Sequence, residues 1–266
     1  MIFMEVKELI RAIDAEAAYT LLNEFKGSKV MAGGAWMKLS VKSVDKLILL
    51  DDLNLDYIKE ENEYLEIGAM TSLRTMEMHP TIKSLNSGIL AKAIKSIMGV
   101  QVRNVATIGG SVMGRFAFSD ILGALLVLDC RLYFHELHEI SLFDFLQMPK
   151  VPRDILLSIK IKKSSGKGYF HKVSKTHLDF SLLNIAITKN ELFKIAIGSR
   201  PQTATLAIST ANFLNSQSVI NEAIIKKAVE IACDEIKVST NLRASKEYRE
   251  VLLKTYLTRG LLEVIK

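Results

Sequence analysis

Cysteine is nearly absent from this chain of 266 residues: the two present, Cys130 and Cys233, stand far apart and form no Cys-x-x-Cys. Neither a disulfide framework nor an iron–sulfur cluster can be assembled from them, so any such cluster has to come from a partner. Long apolar runs are absent too. The apolar stretch ILGALLVL from Ile121 to Leu128 falls well below the roughly 18 residues that cross a bilayer, which excludes a membrane span there. The opening MIFMEVKELIRAIDAEAA puts acidic residues where an export signal has a basic flank and then an unbroken apolar core, so a cytoplasmic location is expected. Proline is scarce at 4, and tryptophan occurs once, at Trp36. No repeat or low-complexity tract is found. The net charge of +6 is scattered over 35 basic and 29 acidic residues, and no stretch interleaves Lys or Arg with aromatics. Nucleic acid is therefore not an expected partner; the lysines read as a solvated surface, which would also suit an anionic phosphate ligand. What remains is the composition of a folded protein, 49% hydrophobic and 24% charged, long enough for one large domain or two smaller ones.

Asp14 followed by AEAAYTLLNEF predicts an N-capped amphipathic helix with Ala17, Leu21 and Phe25 at four-residue spacing. A strand is expected at Lys29 to Ala32, and a hairpin between about Tyr57 and Ile67 around Glu61-Asn62. Thr71 reads as the N-cap of a short helix ending before Pro80, and Ser84 to Ile97 as one helix stopped by Gly99. A turn-rich segment, RNVATIGGSVMGRFAFSD, precedes an apolar helix from about Asp120 to Leu128 and the β-like RLYFHELHEISL. From Ile155 onward LLSIKI, GYFHKVS, DFSLLNIAIT and LFKIAIG read as strands, the last two a hairpin turning at Lys189-Asn190. Helical patterns follow at Ser209 to Leu214, at Ala223 to Ala232 and from Ser245 to the end. This order favours α+β over a doubly wound sheet, with a boundary at the small residues Ser164 to Gly168.

Two glycine pairs stand out, in VMAGGAWM (Val30 to Met37) and ATIGGSVMGRFAFSD (Ala106 to Asp120), each placed after an expected strand. Adjacent glycines permit positive φ and let successive backbone N–H groups converge on an anion such as phosphate; a tight turn or bulge is the plainer reading of a single pair. Neither is a GxGxxG fingerprint. Gly109 to Arg115 copies the glycine spacing of a Walker A loop but carries Arg115-Phe116 where Lys and Ser/Thr are needed, which excludes a nucleotide triphosphatase. His135-Glu136-Leu137-His138 is one residue short of HExxH and reads as a polar turn. His79, His171 and His177 show no nucleophile–base spacing, and the ten methionines read as core filler.

RNVATIGGSVMGRFAFSDILGALLVLD resembles the RNVATIGGN to SPxSD segment, followed by an apolar helix, of the FAD-binding subunits of the xanthine dehydrogenase and carbon monoxide dehydrogenase family of molybdenum hydroxylases. AGGAW is similar to that family's AGGTD loop, and IGAMTSL to its IGAxTxL step. DILLSIKI followed by FHKVSK resembles the strand pair closing its flavin domain, and LRASKEYREVLLKTYLTRGL its C-terminal R-x-S-x-x-YR helix. The likeness runs in order over nearly the whole chain. It implies an α+β fold with a two-part FAD-binding domain over residues 1–164 and a smaller α+β C-terminal domain over 165–266. By the same resemblance Val30, Met31, Ala32, Gly33, Gly34, Ala35, Trp36 and Met37 would wrap the pyrophosphate of FAD. Thr107, Ile108, Gly109, Gly110 and Ser111 would form a second cradle. Asp120 falls where the family has the acidic residue that contacts the adenosine end, with Ser119 before it also counted as cofactor-binding; Thr71, Ile97 and Leu156 fall where the family lines the cleft, and Lys172 where it has a basic residue beside the flavin. An N-cap role is equally open to Asp120. Lys172 and Lys175 are equally readable as solvated strand residues, and His171 is the alternative match to Lys172.

Ala35-Trp36 departs from the family's Thr-Asp and removes a hydroxyl and a carboxylate from the first loop; a lost hydrogen bond is worth about 0.5 to 1.5 kcal/mol. Ser111 replaces the family's Asn. Trp36 is open to packing on flavin or adenine, or in the core or on the surface. The resemblance implies an oxidoreductase subunit that needs no general acid or base of its own. It would carry electrons from a partner 2Fe-2S subunit, itself fed by a molybdenum-cofactor subunit, through FAD to NAD or another acceptor. Two alternatives stay open: an FAD-free assembly scaffold of the same complex, and a stand-alone flavin oxidoreductase.

Overall fold

The computed structural model describes residues 4–40, 43–200 and 202–266; residues 1–3, part of the opening stretch read for a leader, lie outside them. In chain order the first elements are β1 (Glu5–Arg11), α1 (Ala15–Glu24), β2 (Ser28–Met31), α2 (Met37–Ser40), β3 (Ser43–Leu49), β4 (Ile58–Glu60) and β5 (Tyr64–Gly68). A mainly helical stretch follows: α3 (Leu73–Met78), α4 (Pro80–Ser84), α5 (Ile89–Lys95), α6 (Val100–Val105), α7 (Ile108–Met113) and α8 (Ile121–Val127). Then come β6 (Arg131–Phe134), β7 (Glu139–Ser141), α9 (Leu142–Gln147), β8 (Leu156–Lys162), β9 (Lys167–Val173), β10 (Leu183–Lys189), β11 (Phe193–Gly198) and β12 (Thr205–Leu206). The chain closes with α10 (Ile208–Asn215), α11 (Glu222–Glu235) and α12 (Lys246–Val264). Among the described residues no helix is long and apolar enough to cross a membrane. The mixture is the expected α+β class.

One compact unit comprises Met1–Met76, Gly99–Gly114 and Cys130–Lys162. It holds a parallel sheet of order β1-β3-β2 and an antiparallel sheet of order β4-β5-β8-β6-β7. Strand β1 is absent from the sequence reading because Val6, Leu9 and Ile10 have helix-like spacing; pairing of Glu5–Arg11 with β3 overrides that local signal. Asp14 caps α1 as expected, its carboxylate accepting from the Ala17 amide at 2.8 Å. The buried stripe, however, is Ala18 and Leu22, packed with Ala12, Ile48, Leu50 and Ile155, while Phe25 lies past the helix end and is exposed. Both stripes satisfy a helical period, and only the docking of α1 selects one. Strand β2 starts one residue earlier than expected. The Tyr57–Ile67 hairpin forms as β4 and β5. The cap before α3 is Ser72, whose hydroxyl accepts from the Thr75 amide at 3.0 Å; the Thr71 hydroxyl instead bonds both ways with the Tyr57 backbone. The segment read as turn-rich contains the end of α6 and all of α7, so the second glycine pair follows a helix and lies inside one.

The other unit comprises Glu77–Met98, Arg115–Asp129 and Lys163–Lys266. Its antiparallel sheet has the order β12-β11-β10-β9. Period-2 alternation sorts β10: Leu183, Ile185 and Ile187 join the core with α11 and α12, while Ala186 and Thr188 face α8, the Thr188 hydroxyl donating to the Val127 carbonyl at 3.1 Å. Gly260 lets α12 close on this sheet, since a Cβ there would sit 2.5 Å from the Tyr169 ring and 2.6 Å from Ile187. The single helix expected over Ser84 to Ile97 is broken: Asn86, Ser87 and Gly88 are all left-handed before α5 begins. Long-range bonds hold that break, with the Asn86 side chain donating to Asn190 at 2.6 Å and its amide to the Ser164 carbonyl at 3.2 Å.

Candidate functional site

Val30 and Met31 end β2, which delivers the chain into the loop Ala32 to Trp36, and Met37 opens α2. Gly34 is left-handed at φ 64°, and a Cβ on Gly33 would overlap the carbonyl of Val105, so neither position accepts a side chain without strain or displacement. The amides of Gly33, Gly34 and Ala35 donate no hydrogen bond among the described residues, and the loop is half-buried. Successive amides without a protein acceptor, on a turn after a parallel strand, are suited to phosphate oxygens. The geometry of the loop fits a pyrophosphate.

The second glycine segment is built differently. Thr107 caps α7, its hydroxyl accepting from the Gly110 amide at 3.1 Å and its carbonyl from Ser111 at 3.1 Å. The Ile108 amide donates to Thr71 at 3.0 Å and that of Gly109 to Ala69 at 2.8 Å. Every amide from 108 to 111 therefore has an acceptor within the fold, and Gly109 and Gly110 are helical rather than left-handed. Backbone donors are not what this segment offers a ligand. Gly109 is needed for close packing, since a Cβ would lie 2.7 Å from the Ala69 carbonyl oxygen, whereas Gly110 is exposed and a Cβ there meets only the Thr107 hydroxyl at 3.2 Å. Ser111 donates its hydroxyl to the Thr107 carbonyl. Contact of Gly33 with Val105 and a bridge between Ser72 and Thr107 bring the first loop, Ala69 to Ser72 and the start of α7 together. Leu156 is buried where β8 begins, next to Leu157, whose carbonyl accepts from Ala69 at 2.9 Å.

Ile97, Ser119, Asp120 and Lys172 belong to the other unit. Ile97 is half-buried beyond α5. Asp120 stands at the N-cap of α8 in helical conformation and caps nothing. Its carboxylate, 5% exposed, receives Lys172 Nζ at 2.9 Å, the Ser181 hydroxyl, and the Asn184 amide at 3.2 Å. Lys172 also donates to the Ser96 carbonyl at 2.9 Å, so it is no solvated strand residue; Lys175 is exposed. Burial pushes the Asp120 carboxyl above its ordinary value against the opposing pull of Lys172, Ser181 and Asn184. His171, one residue along β9, stacks on Tyr256 at 4.0 Å and lacks this environment; burial and then Arg259 lower its pKa.

Sequence reasoning missed the supporting polar network. Asn184 donates to the Ser119 carbonyl at 3.1 Å and to the Ser199 hydroxyl at 3.1 Å, and the fully buried Arg249 donates to the carbonyls of Leu182 and Ser199. The available signal was a lone Asn inside the apolar run LLNIAI, a residue type that is buried only when hydrogen-bonded.

An α+β fold with a glycine loop whose amides lack an acceptor within the protein suits a protein that takes an anionic ligand on its backbone. Residues 4–162 match the model of the FAD binding domain in molybdopterin dehydrogenase, and residues 168–264 that of the CO dehydrogenase flavoprotein C-terminal domain. The chain belongs to this family: it is an oxidoreductase flavoprotein subunit of the molybdenum hydroxylase type, and its cofactor is FAD. It is 23% identical to the glyceraldehyde dehydrogenase medium chain of Sulfolobus acidocaldarius over 96% of this chain and 97% of that one. It is 31% identical to the nicotinate dehydrogenase FAD-subunit of Eubacterium barkeri over 43% of this chain and 40% of that one. Among solved structures, carbon monoxide dehydrogenase from Hydrogenophaga pseudoflava matches with a TM-score of 0.88 at 20% identity, covering 99% of this chain and 98% of the other. Quinoline 2-oxidoreductase from Pseudomonas putida 86 gives 0.87 at 20%, with the same coverage. The structural likeness shows the fold.

Proposed function

We propose that the chain is the electron-transfer subunit of a cytoplasmic molybdenum hydroxylase, receiving electrons from a partner 2Fe-2S subunit that a molybdenum-cofactor subunit feeds, and passing them to NAD or another acceptor. The observation that carries this reading is the set of undonated amides at Gly33, Gly34 and Ala35. These amides would hold the pyrophosphate, and the side-chain-free surface of Gly110, with Thr107 and Ser111 behind it, would let the cofactor approach α7. Thr71, its hydroxyl bonded to the Tyr57 backbone, and the buried Leu156 would line the cleft. Asp120, held by Lys172, Ser181 and Asn184 beside Ser119, would serve the adenosine end, with Ile97 lining the cleft and Lys172 as the basic residue on the strand beside the flavin. FAD, when bound, supplies the capacity to accept and release electrons, for which no residue of the chain need act as acid or base. Cys130 is buried and Cys233 half-buried, neither is in a disulfide, and two cysteines are too few to ligate a cluster, which supports assigning the iron–sulfur clusters to a partner. The division into residues 1–164 and 165–266 is proposed as that of the two family domains.

The test uses Trp36, which lies in the first loop. FAD added to the flavin-free chain is expected to quench its fluorescence and to raise the melting temperature, because a ligand that binds only the folded state stabilises it. Gly110→Val is expected to fold and to lose both responses. Absence of quenching and of any thermal shift in the unaltered chain would put the scaffold reading in place of the flavoprotein one.

A further inference from the structure

The β6–β7 turn, His135-Glu136-Leu137-His138, plays no part in the flavin reading, and the tertiary structure gives it a third donor from a distant element. His135 Nε2 lies 2.9 Å from Glu16 Oε2 and 3.6 Å from Glu136 Oε1, and one ligand atom from each residue falls within 4.8 Å of the others. Ligands at about 2.0 to 2.2 Å from one tetrahedral ion sit roughly 3.3 Å apart, so small side-chain movements close the set. The backbone that carries the donors is already positioned. Glu16 is in the first turn of α1, and its other oxygen accepts from the Thr20 hydroxyl at 3.5 Å. The buried Asp154 carboxylate accepts from the amides of Glu136 at 3.2 Å, Leu137 at 2.7 Å and Ile155 at 2.7 Å, which fixes the turn. The His135 ring packs against Tyr19, with centroids 5.6 Å apart. The imidazole is 20% exposed while Glu16 and Glu136 are 70% and 55% exposed, so a held nitrogen faces two carboxylates open to solvent. With a neutral imidazole the three groups carry two negative charges. That charge and a mixed nitrogen–oxygen donor set suit zinc, cobalt or nickel rather than calcium or magnesium, which take oxygen ligands.

We propose that Glu16, His135 and Glu136 form a binding site for a divalent transition-metal ion of the zinc type, which clasps the start of α1 to the β6–β7 turn with water completing its coordination. The held positions of Glu16 and of the turn are the kind of support that raises metal affinity. The full chain, stripped with a chelator, is titrated with Zn²⁺ by calorimetry and with Co²⁺ by visible absorption. One equivalent is expected to bind, with affinity falling about tenfold or more in His135→Gln and in Glu16→Gln and unchanged in His138→Gln and Cys233→Ser. Zinc is expected to raise the melting temperature of the unaltered chain and not of His135→Gln. Glu16 is exposed enough that Glu16→Gln carries the test even if His135→Gln fails to fold. No saturable binding, binding undiminished in Glu16→Gln, or a thiolate–cobalt band abolished by Cys233→Ser would overturn the site.

Discussion

Lys172 and Asp120 show how one contact changes what a residue type does. On an exposed strand the pair would contribute little; here both are buried, and removing one partner strands the other's charge in the interior. Lys172→Met is therefore expected to destabilise the protein by about 3 to 5 kcal/mol in urea unfolding, and the double variant with Asp120→Asn to recover part of that loss. His171 on the neighbouring position has the opposite character. Because burial and Arg259 lower its pKa from the ordinary 6.5, with Glu263 pulling the other way, the unfolded chain binds the proton more readily than the folded one. Stability linked to this group is present above about pH 6.5 and is lost as the pH falls from there through the folded value. His171→Phe, which keeps a ring against Tyr256, is expected to flatten the acid side of a plot of melting temperature against pH.

At the scale of elements, the docking of α1 and α12 decides which substitutions matter. Leu22→Ala is expected to cost about 2 to 5 kcal/mol by chemical denaturation, and Phe25→Ala about 0.5 kcal/mol or less, because only the first empties a packed core position. Exchange of the two outcomes would restore the Ala17–Leu21–Phe25 stripe. Gly260→Ala sets two effects against each other: alanine favours a helix by about 1 kcal/mol, while its Cβ would press on Tyr169 and Ile187. Overpacking of about 1 to 3 kcal/mol is expected to win, giving a lower melting temperature.

For the whole molecule, the departure at Ala35-Trp36 bears on cofactor retention. Supplying the family's polar groups through Ala35→Thr with Trp36→Asp is expected to tighten FAD binding several-fold to about tenfold, read by equilibrium dialysis with flavin absorbance since the variant lacks the tryptophan. The purified single chain is expected to contain no iron, checked by elemental analysis; a bound cluster would overturn the division of labour among subunits.

Local rules made much of this protein readable in advance. Asp14 and Ser245 cap their helices because a side-chain oxygen next to a helical run satisfies an orphan amide whatever the rest of the chain does. The strands from Leu156 to Gly198 declare themselves by composition and turns, and the family motifs name the cofactor. Long-range packing decided the rest. Gly109 is helical because α7 lies against Ala69, β1 is a strand because β3 pairs with it, and Asn86 breaks a helical pattern because Asn190 and Ser164 hold it. Residues far apart in sequence, Glu16 with His135 and Asp120 with Lys172, acquire their chemistry only from being brought within hydrogen-bond distance, and no spacing along the chain encodes that distance.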